Sequence, residues 1–203
     1  MAKCKTLTLY TSLEHCTGQK VLPGVRQRCY YISRRDIVKY PTLAAPAADS
    51  TPEKLTTYVG SFTLAADKKW LSIDLVPGKG NIECEPQGSK PSVTYLCKFT
   101  ATHPTIDEDA TAFARMAADD DFVFLIQTRS GRFRVLGGEA FPAEVKAKLS
   151  TGEGTTGEGG LSIEIEATDL MPAPFYVGDI LTADGTIKAA TGEVSGGGSA
   201  SGH

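Results

Sequence analysis

The sequence predicts a mainly β protein, a sandwich or barrel of short strands with one helix against a sheet. Strand-like runs recur at near-regular spacing over residues 55–102, separated by turn-forming residues. A strand–turn–strand pattern spans 119–138, and only residues 105–118 have the cap and spacing of a helix. At 203 residues, the chain fits one domain (1–194) with an N-terminal arm and long loops better than two small domains.

The strand–turn–strand segment is the most strongly patterned part of the chain. Phe122–Thr128 and Phe133–Leu136 are rich in aromatic and β-branched residues, and Ser-Gly at 130–131 suits a two-residue turn. Such a turn places Ile126 opposite Val135. We therefore expect this hairpin in the middle of a sheet, covered on both sides. One face of the predicted ribbon is wholly apolar and consists of Phe124, Ile126, Phe133 and Val135.

The helix is predicted over Thr105–Ala118. Thr105 and Glu108 have the spacing of a capping box, in which each side chain satisfies a backbone N–H of the first turn. Phe113 and several alanines recur on one face, which lets the helix lie close against a sheet.

The other elements are predicted from alternation and turn residues. The sequence leaves Phe141–Leu149 open between a short helix and a strand, and Lys5–Tyr10 between an edge strand and an arm. Residues 195–203 are predicted to form a flexible Gly/Ser tail. Alternation turns Leu71, Ile73 and Leu75 inward, as well as Leu161, Ile163 and Ile165. The further predicted strands are Gln27–Ser33, Leu55–Leu64, Lys69–Leu75, Asn81–Glu85, Ser92–Thr102 and Leu161–Ala167, followed by a hairpin within Gly178–Ala189.

Composition narrows the class of protein. A hydrophobic fraction of 41% with 22% charged residues is typical of a globular domain. No run approaches the roughly 20 apolar residues of a membrane span. The first residues, Met-Ala-Lys-Cys-Lys, are not followed by an apolar segment, so we expect no signal peptide and synthesis in a cytoplasm.

The cysteine pattern predicts neither a disulfide framework nor a zinc ribbon. There are five cysteines, an odd number, and no C-x-x-C pair. Cys29, Cys84 and Cys97 lie in strand-like runs and are interpreted as small buried hydrophobic residues.

No catalytic, metal or cofactor site is predicted. His15-Cys16 lacks an identifiable orienting acid, and His103 is interpreted as a turn residue before the helix. The G-x-G-x-x-G match at 152–157 is followed by a strand, whereas phosphate binding needs a helix there. Asp119–Asp121 lacks the alternating carboxylates of a calcium loop. We therefore expect a non-enzymatic protein without cofactors.

Charge is unevenly distributed along the chain. Residues 1–50 carry eight Lys and Arg against three acidic residues, although the net charge is −3. An arginine cluster with interleaved tyrosines could bind nucleic acid, but the overall acidity favours an acidic protein surface, and hence self-association. The candidate subunit-interface residues are Arg26, Arg28, Arg34, Arg35 and Tyr30.

Two segments carry a resemblance to a known family. They are Asp121–Gly137, a strand, an Arg-x-Gly turn and a strand ending in Gly, and Glu164–Tyr176. With the order of elements over about residues 20–190, this resembles the tail-tube (major tail) proteins of bacteriophages and related injection machines, especially phages and prophages of Bacteroidetes-type bacteria.

The resemblance implies a β-sandwich or half-barrel with one helix. Subunits of that family join their sheets into rings, usually of six, that stack into a tube conducting DNA or a protein payload. It implies a virion tail protein made in the host bacterial cytoplasm, which contacts other tail proteins and DNA non-specifically. DNA must slide without sticking, so carboxylates should line the lumen. The lumen candidates are Glu164, Glu166, Asp119, Asp120 and Asp121.

Two alternatives remain open from the sequence. One is a monomeric β-sandwich binding or adhesion module in which Trp70, Tyr30 and Tyr31 line a ligand face. The other is a different virion role, such as head–tail completion or decoration. The mass of the protein in solution separates the monomeric module from the assembly.

Overall fold

The computed structural model describes residues 12–45, 50–154 and 157–195, and it is mainly β, as the sequence predicts. The helices are α1 (Pro52–Thr56) and α2 (Glu108–Ala117), with a 3-10 turn at Arg34–Asp36. The strands are β1 (Val25–Ser33), β2 (Ile37–Lys39), β3 (Thr42–Leu43), β4 (Thr57–Val59), β5 (Thr63–Leu64), β6 (Leu71–Asp74), β7 (Asn81–Gln87), β8 (Thr94–His103), β9 (Phe122–Thr128), β10 (Phe133–Leu136), β11 (Glu144–Ser150), β12 (Gly160–Asp169), β13 (Phe175–Tyr176), β14 (Asp179–Thr182), β15 (Gly185–Lys188) and β16 (Val194–Ser195).

The strands form a sandwich with one long helix. A seven-stranded sheet has the order β3-β4-β13-β10-β9-β1-β6, and a four-stranded sheet has the order β11-β12-β8-β7. A first core, which includes Phe124 and Ile165, joins the seven-stranded sheet to the four-stranded sheet and α2. A second core, which includes Trp70 and Ile180, joins its other face to β14 and β15. Both faces of the large sheet are therefore covered.

The central hairpin has the predicted strand bounds and lies in the middle of the seven-stranded sheet, but its predicted register is wrong by one residue. Val135 pairs with Leu125 and not with Ile126. The loop has three residues, because the Thr128 N–H donates to Arg132 O (2.9 Å) and Gly131 takes φ +96°. A one-residue shift turns a strand over, so Phe133 and Val135 lie in the second core, away from Phe124.

Helix α2 begins three residues later than predicted, and the predicted capping box is wrong. The N-cap is Asp107, whose Oδ1 accepts from the Ala110 N–H (2.9 Å). Thr105 Oγ1 instead donates to Asp107 Oδ2 (2.9 Å). A carboxylate there satisfies an N–H and also complements the positive end of the helix. Ala110 and Ala117 are buried, and Phe113 packs against the first core, as the predicted face requires.

The remaining strand predictions are mostly confirmed. β1, β6, β7, β8 and β12 lie within two residues of their predicted bounds, and the hairpin β14–β15 is present. Leu161, Ile163 and Ile165 are buried as predicted, whereas Leu71, the first residue of an edge strand, is exposed. Leu55–Leu64 is not one strand, because Thr51 caps the short helix α1 and Pro52 begins it. The sequence left 141–149 open between a short helix and a strand, and the structure has strand β11 there.

The cysteine prediction is wrong for one pair. Cys84 in β7 faces Cys97 in β8, and the two form a disulfide with a Cα–Cα distance of 4.1 Å. Sequence spacing does not show which residues face each other across two strands, so this pair gave no recognisable motif. Cys29 is buried, as predicted, and burial raises the pKa of its thiol to about 12. Cys16 is an exposed free thiol.

The terminal predictions fall largely outside the described residues. Residues 12–24 are exposed and contain no strand, and Lys5–Tyr10 precedes them, outside the described range. Ser195 was predicted to begin the tail, but it is the last residue of β16; residues 196–203 are not described. No helix in the described part of the chain is long and apolar enough to span a membrane.

Candidate functional site

Neither outer strand of the four-stranded sheet is paired with another strand on its outer side, although α2 packs close to β11. The outer strands, β11 and β7, have seven residues each and are hydrogen-bonded only to β12 and β8 within the sheet. Across the described residues, no further backbone–backbone hydrogen bond reaches either strand from outside the sheet. An open edge is a ready template for pairing with another chain. These two edges are therefore the candidate site.

The two edges carry opposite charges on the same face of the sheet. Lys146 and Lys148 are exposed on β11, and Glu83 and Glu85 are exposed on β7. The side chains between them turn toward the first core, and Val145 of β11 is buried there. Each edge is thus amphipathic, with a charged outer side and an apolar inner side.

The backbone groups at the open edge of β11 can be identified from the residue just before the strand. Ala143 exchanges two hydrogen bonds with Phe122 (2.9 and 3.3 Å) on the side away from β12. Backbone groups alternate sides with a period of two residues. Those of Val145, Ala147 and Leu149 therefore face the open edge.

The same alternation identifies the open side of β7. Pro86 has no N–H, and a strand tolerates proline where that position faces away from its neighbour. The carbonyl of Thr102 in β8, which accepts from the Val76 N–H (2.7 Å), faces the β7 side and gives the same alternation. Ile82, Cys84 and Pro86 therefore present their backbone groups to the open edge.

A groove of about 820 Å³ lies beside β11. Its walls are the small residues near the end of α2, the acidic corner that follows the helix, and the β11 edge itself. It brings four of the five lumen candidates together, since Glu164 lies in the same groove as the corner. The lining residues are Ala114, Ala117, Ala118, Asp119, Asp120, Asp121, Glu144, Val145, Lys146, Ala147, Lys148, Ser162 and Glu164.

The fifth lumen candidate, Glu166, lies on the same outer face but is already paired. It accepts from Lys98 Nζ (2.6 Å) and Lys146 Nζ (2.7 Å). These two lysines hold the pKa of Glu166 below its ordinary value. Glu164, two residues before Glu166 in β12, makes no ion pair with the described residues. Both side chains point outward, as the burial of Ile163 and Ile165 requires.

The predicted interface arginines divide into paired and unpaired groups. Arg28 binds Asp74 (2.6 Å), which raises the pKa of Arg28 and lowers that of Asp74. Arg34 and Arg35 lie near Asp121 (3.8 Å) and Asp120 (2.9 Å), so part of the basic cluster meets the acidic corner within one chain.

The other two predicted interface residues differ in exposure. Arg26 is exposed beside the turn of the central hairpin, and it makes no ion pair within the described ranges. Tyr30 is buried in the second core near Phe133, with ring centres 6.2 Å apart, and offers little surface to a partner.

The residues considered for chemistry lie apart from the open edges. His103 Nδ1 lies 2.6 Å from Asp74 O and Nε2 lies 2.8 Å from Thr105 Oγ1, so the ring bridges β6 to the start of α2. Cys16 is exposed in the segment before β1. Within 12–45, 50–154 and 157–195, no group of three or more His, Cys, Asp or Glu is placed to hold a metal ion.

Comparison with protein-family models, with curated proteins and with solved structures found no match.

Proposed function

We propose that the chain is a structural protein that assembles edge to edge into closed rings, and that the rings stack into a phage-type tail tube. The observation that carries this proposal is the matched pair of open edges on one sheet. The two strands have seven residues each. One carries exposed glutamates and the other exposed lysines, and both turn their charged side to the same outer face of the sheet. The tail-tube assignment itself rests on the resemblance of Asp121–Gly137 and Glu164–Tyr176 to that family.

One antiparallel register between β7 of one copy and β11 of the next matches both the charges and the backbone groups of the two strands. Placing Asn81 of one copy beside Ser150 of the next, antiparallel, aligns Glu83 with Lys148 and Glu85 with Lys146. Opposite charges directly across a strand pair stabilise it by about 0.2–1 kcal/mol. The same register aligns the backbone groups that face each open edge, because Ile82 meets Leu149. The incoming strand ends near Val145, since Phe122 already occupies the position beside Ala143.

Apolar surface would also be covered at this joint. Val21 and Leu22 are 75% and 60% exposed, and they lie near Ile82 of β7 in one surface groove. Leu149 of β11 is 39% exposed. In the proposed register, Leu149 of the next copy lies beside Ile82, next to Val21 and Leu22. Its burial adds a hydrophobic contribution to the charge pairs.

The charges on the two edges favour a head-to-tail ring over a dimer in which like edges meet. Joining two β11 edges would bring lysine against lysine, and joining two β7 edges would bring glutamate against glutamate, which is unfavourable. The four strands alternate in direction, so β7 meets the β11 of the next copy in antiparallel orientation. Repeating one such head-to-tail contact gives a ring when the rotation closes.

The size of such a ring suits a conduit. Six copies, the number implied by the resemblance, give a barrel of about 24 strands, roughly 40 Å across at strand spacings of about 4.8 Å. The outer face of the four-stranded sheet would line it, since the other face packs into the first core. That face carries more carboxylates than lysines, as DNA passage requires: Glu83, Glu85, Glu144, Glu164 and Glu166 against Lys98, Lys146 and Lys148.

The aromatic residues suggested as the ligand face of a monomeric binding module do not lie at the surface. Trp70 is 2% exposed and Tyr30 is 9% exposed. Tyr31 packs among aromatic rings, including Phe113 at 5.3 Å and Phe124 at 5.9 Å. These three aromatic residues support the cores and do not form a surface platform.

A charge exchange across the edges tests the proposal. Light scattering and negative-stain microscopy should show rings or tubes of the unaltered chain. Lys148→Glu or Glu83→Lys alone should raise the concentration at which they form by about tenfold, because an attractive pair becomes a repulsive one, and the double variant should lower it again because the pair is reversed. Lys188→Glu on β15 is the matched control and should assemble normally. A strictly monomeric unaltered chain at high concentration would overturn the proposal, as would single variants that assemble like the control.

A further inference from the structure

Four arginines gather around the turn of the central hairpin. Arg129 and Arg132 lie in or beside the turn, Arg134 follows in β10, and Arg26 reaches the turn from β1, since a Cβ at Gly131 would lie 3.7 Å from Arg26 Nη2. We call these four residues the arginine tip. They lie at the opposite end of β9 from the acidic corner at 119–121.

The arginine tip has no acidic partner within the described residues. The ion pairs of that part of the chain include Arg28, Arg34 and Arg35 but none of these four arginines. Arg134 is the partly buried member of the four, and charged groups in such a position are normally paired. The tip therefore differs from the other arginines of β1 and its surroundings in lacking a counter-charge.

An aromatic ring holds two of the four guanidinium groups in place. The Cζ atoms of Arg132 and Arg134 each lie 3.7 Å from the centre of the Phe175 ring. Arg134 Nη1 also donates to Ala173 O (2.8 Å). Burial and the nearby charge of Arg132 lower the pKa of Arg134. The ring contact fixes the two cations without neutralising them, so they remain available to an anion.

The position of Arg129 indicates which anion reaches the tip. Arg129 Nε would lie 3.7 Å from a Cβ at Gly24, and Gly80 O would lie 3.8 Å from the same point. Gly80 immediately precedes Asn81, the first residue of β7. Arg129 therefore lies at the end of β7 where, in the proposed register, Ser150 of the next copy arrives.

A carboxylate follows Ser150 in the loop that leads to β12. Glu153 is three residues further along, just after Gly152 turns the chain with φ +79°, and it is exposed. It makes no ion pair with the described residues, whereas Glu158, later in the same loop, binds Lys79 of its own chain. Glu153 is thus the free acidic group that the next copy brings toward the tip.

We propose that the arginine tip of one copy binds Glu153 of the neighbouring copy and so fixes the register of the edge joint. This rests on the proposed function, because the two groups meet only when β7 and β11 of neighbouring copies pair. Arginine can hold a carboxylate with two parallel hydrogen bonds, which adds geometric specificity to the attraction. The partner is a second copy of this chain, and the ligand is its Glu153 carboxylate.

The test reverses the charges at both ends of the contact. Arg129→Glu and Glu153→Arg should each raise the concentration needed for assembly by about tenfold, as expected for the loss of one charge-assisted contact. The double variant, which re-creates the pair in reverse, should return to within about threefold of the unaltered chain. Lys188→Glu is again the control. Both sites are exposed, and thermal melting verifies the fold of each variant.

The outcomes separate this inference from the proposed function. Assembly of the unaltered chain together with unchanged assembly of both single variants overturns the Arg129–Glu153 contact and leaves the ring standing. A double variant as defective as the singles also overturns it. Failure of the unaltered chain to assemble overturns both proposals. If Arg129→Glu does not fold, Glu153→Arg alone decides, since an effect no larger than that of Lys188→Glu contradicts the contact.

Discussion

The central hairpin and the outer strands of the four-stranded sheet differ in every feature that decides what a strand can do. β9 and β10 are paired on both sides and covered on both faces, and Val123, Phe124 and Leu125 have no exposed surface. β7 and β11 are paired on one side only and keep one charged face in contact with solvent. The hairpin therefore holds the fold together, whereas the edge strands have backbone groups available for assembly.

The largest expected effect is the loss of a core side chain from the hairpin. Phe124→Ala should lower the free energy of unfolding by about 3–5 kcal/mol, because it leaves a cavity between two packed layers. Leu149→Ala on β11, where the side chain is 39% exposed, should lower it by less than about 1 kcal/mol and weaken assembly instead. Urea unfolding below the assembly concentration measures both. Equal losses of stability would remove the contrast between hairpin and edge.

A pair of proline substitutions on β11 should separate assembly from folding. The Ala147 N–H faces the open edge, so Ala147→Pro should abolish rings and leave the monomer folded. The Lys148 N–H faces β12, so Lys148→Pro removes a hydrogen bond within the chain and should lower stability by about 1–3 kcal/mol.

Circular dichroism and light scattering on the two proline variants give the comparison. A destabilised Ala147→Pro monomer, or a Lys148→Pro monomer as stable as the unaltered chain, would show that the two sides of β11 have been exchanged.

The smallest expected effect concerns pH. Lys146 and Lys98 lower the folded-state pKa of Glu166, whose unfolded value is near 4.5. A lowered folded pKa means that this contribution is present above the unfolded pKa and is lost as pH falls through the folded one. The melting temperature of the unaltered chain should therefore exceed that of Glu166→Gln near neutral pH.

Following the unaltered chain and Glu166→Gln to lower pH shows whether the prediction fails. The difference in melting temperature should shrink steadily as the pH falls below about 4.5, where Glu166 binds its proton. A difference that stays constant down to pH values well below this point would show that the two lysines contribute nothing through the carboxylate charge.

The sequence predicted elements whose signal is local and missed features that depend on register. Both strands of the hairpin were predicted to the residue, because aromatic and β-branched runs end at a turn. Its facing pairs were wrong, because Ser130-Gly131 does not distinguish a two-residue from a three-residue loop. The Cys84–Cys97 disulfide was missed for the same reason, since only strand pairing brings the two residues together.

The candidate site was partly visible in the sequence. The charged alternation of Glu83 and Glu85, and of Lys146 and Lys148, is a local pattern that could have indicated two amphipathic edge strands. That both strands are edges of one sheet depends on the order β11-β12-β8-β7, which no local pattern contains. The sequence analysis placed the basic side of a contact between copies at Arg26–Arg35, and part of that cluster is neutralised within the chain.

Disulfide trapping across the joint tests the central claim most directly. Asn81→Cys and Ser150→Cys should be introduced together into a chain carrying Cys4→Ser and Cys16→Ser, and oxidised at assembly concentration. The proposed register places the two new thiols opposite each other, so denaturing electrophoresis should show a ladder of covalent oligomers that ends at the closed ring. Asn81→Cys with Leu149→Cys, whose second side chain turns to the other face, should give no ladder. Monomer alone for the first pair, or equal ladders for both, would contradict the account.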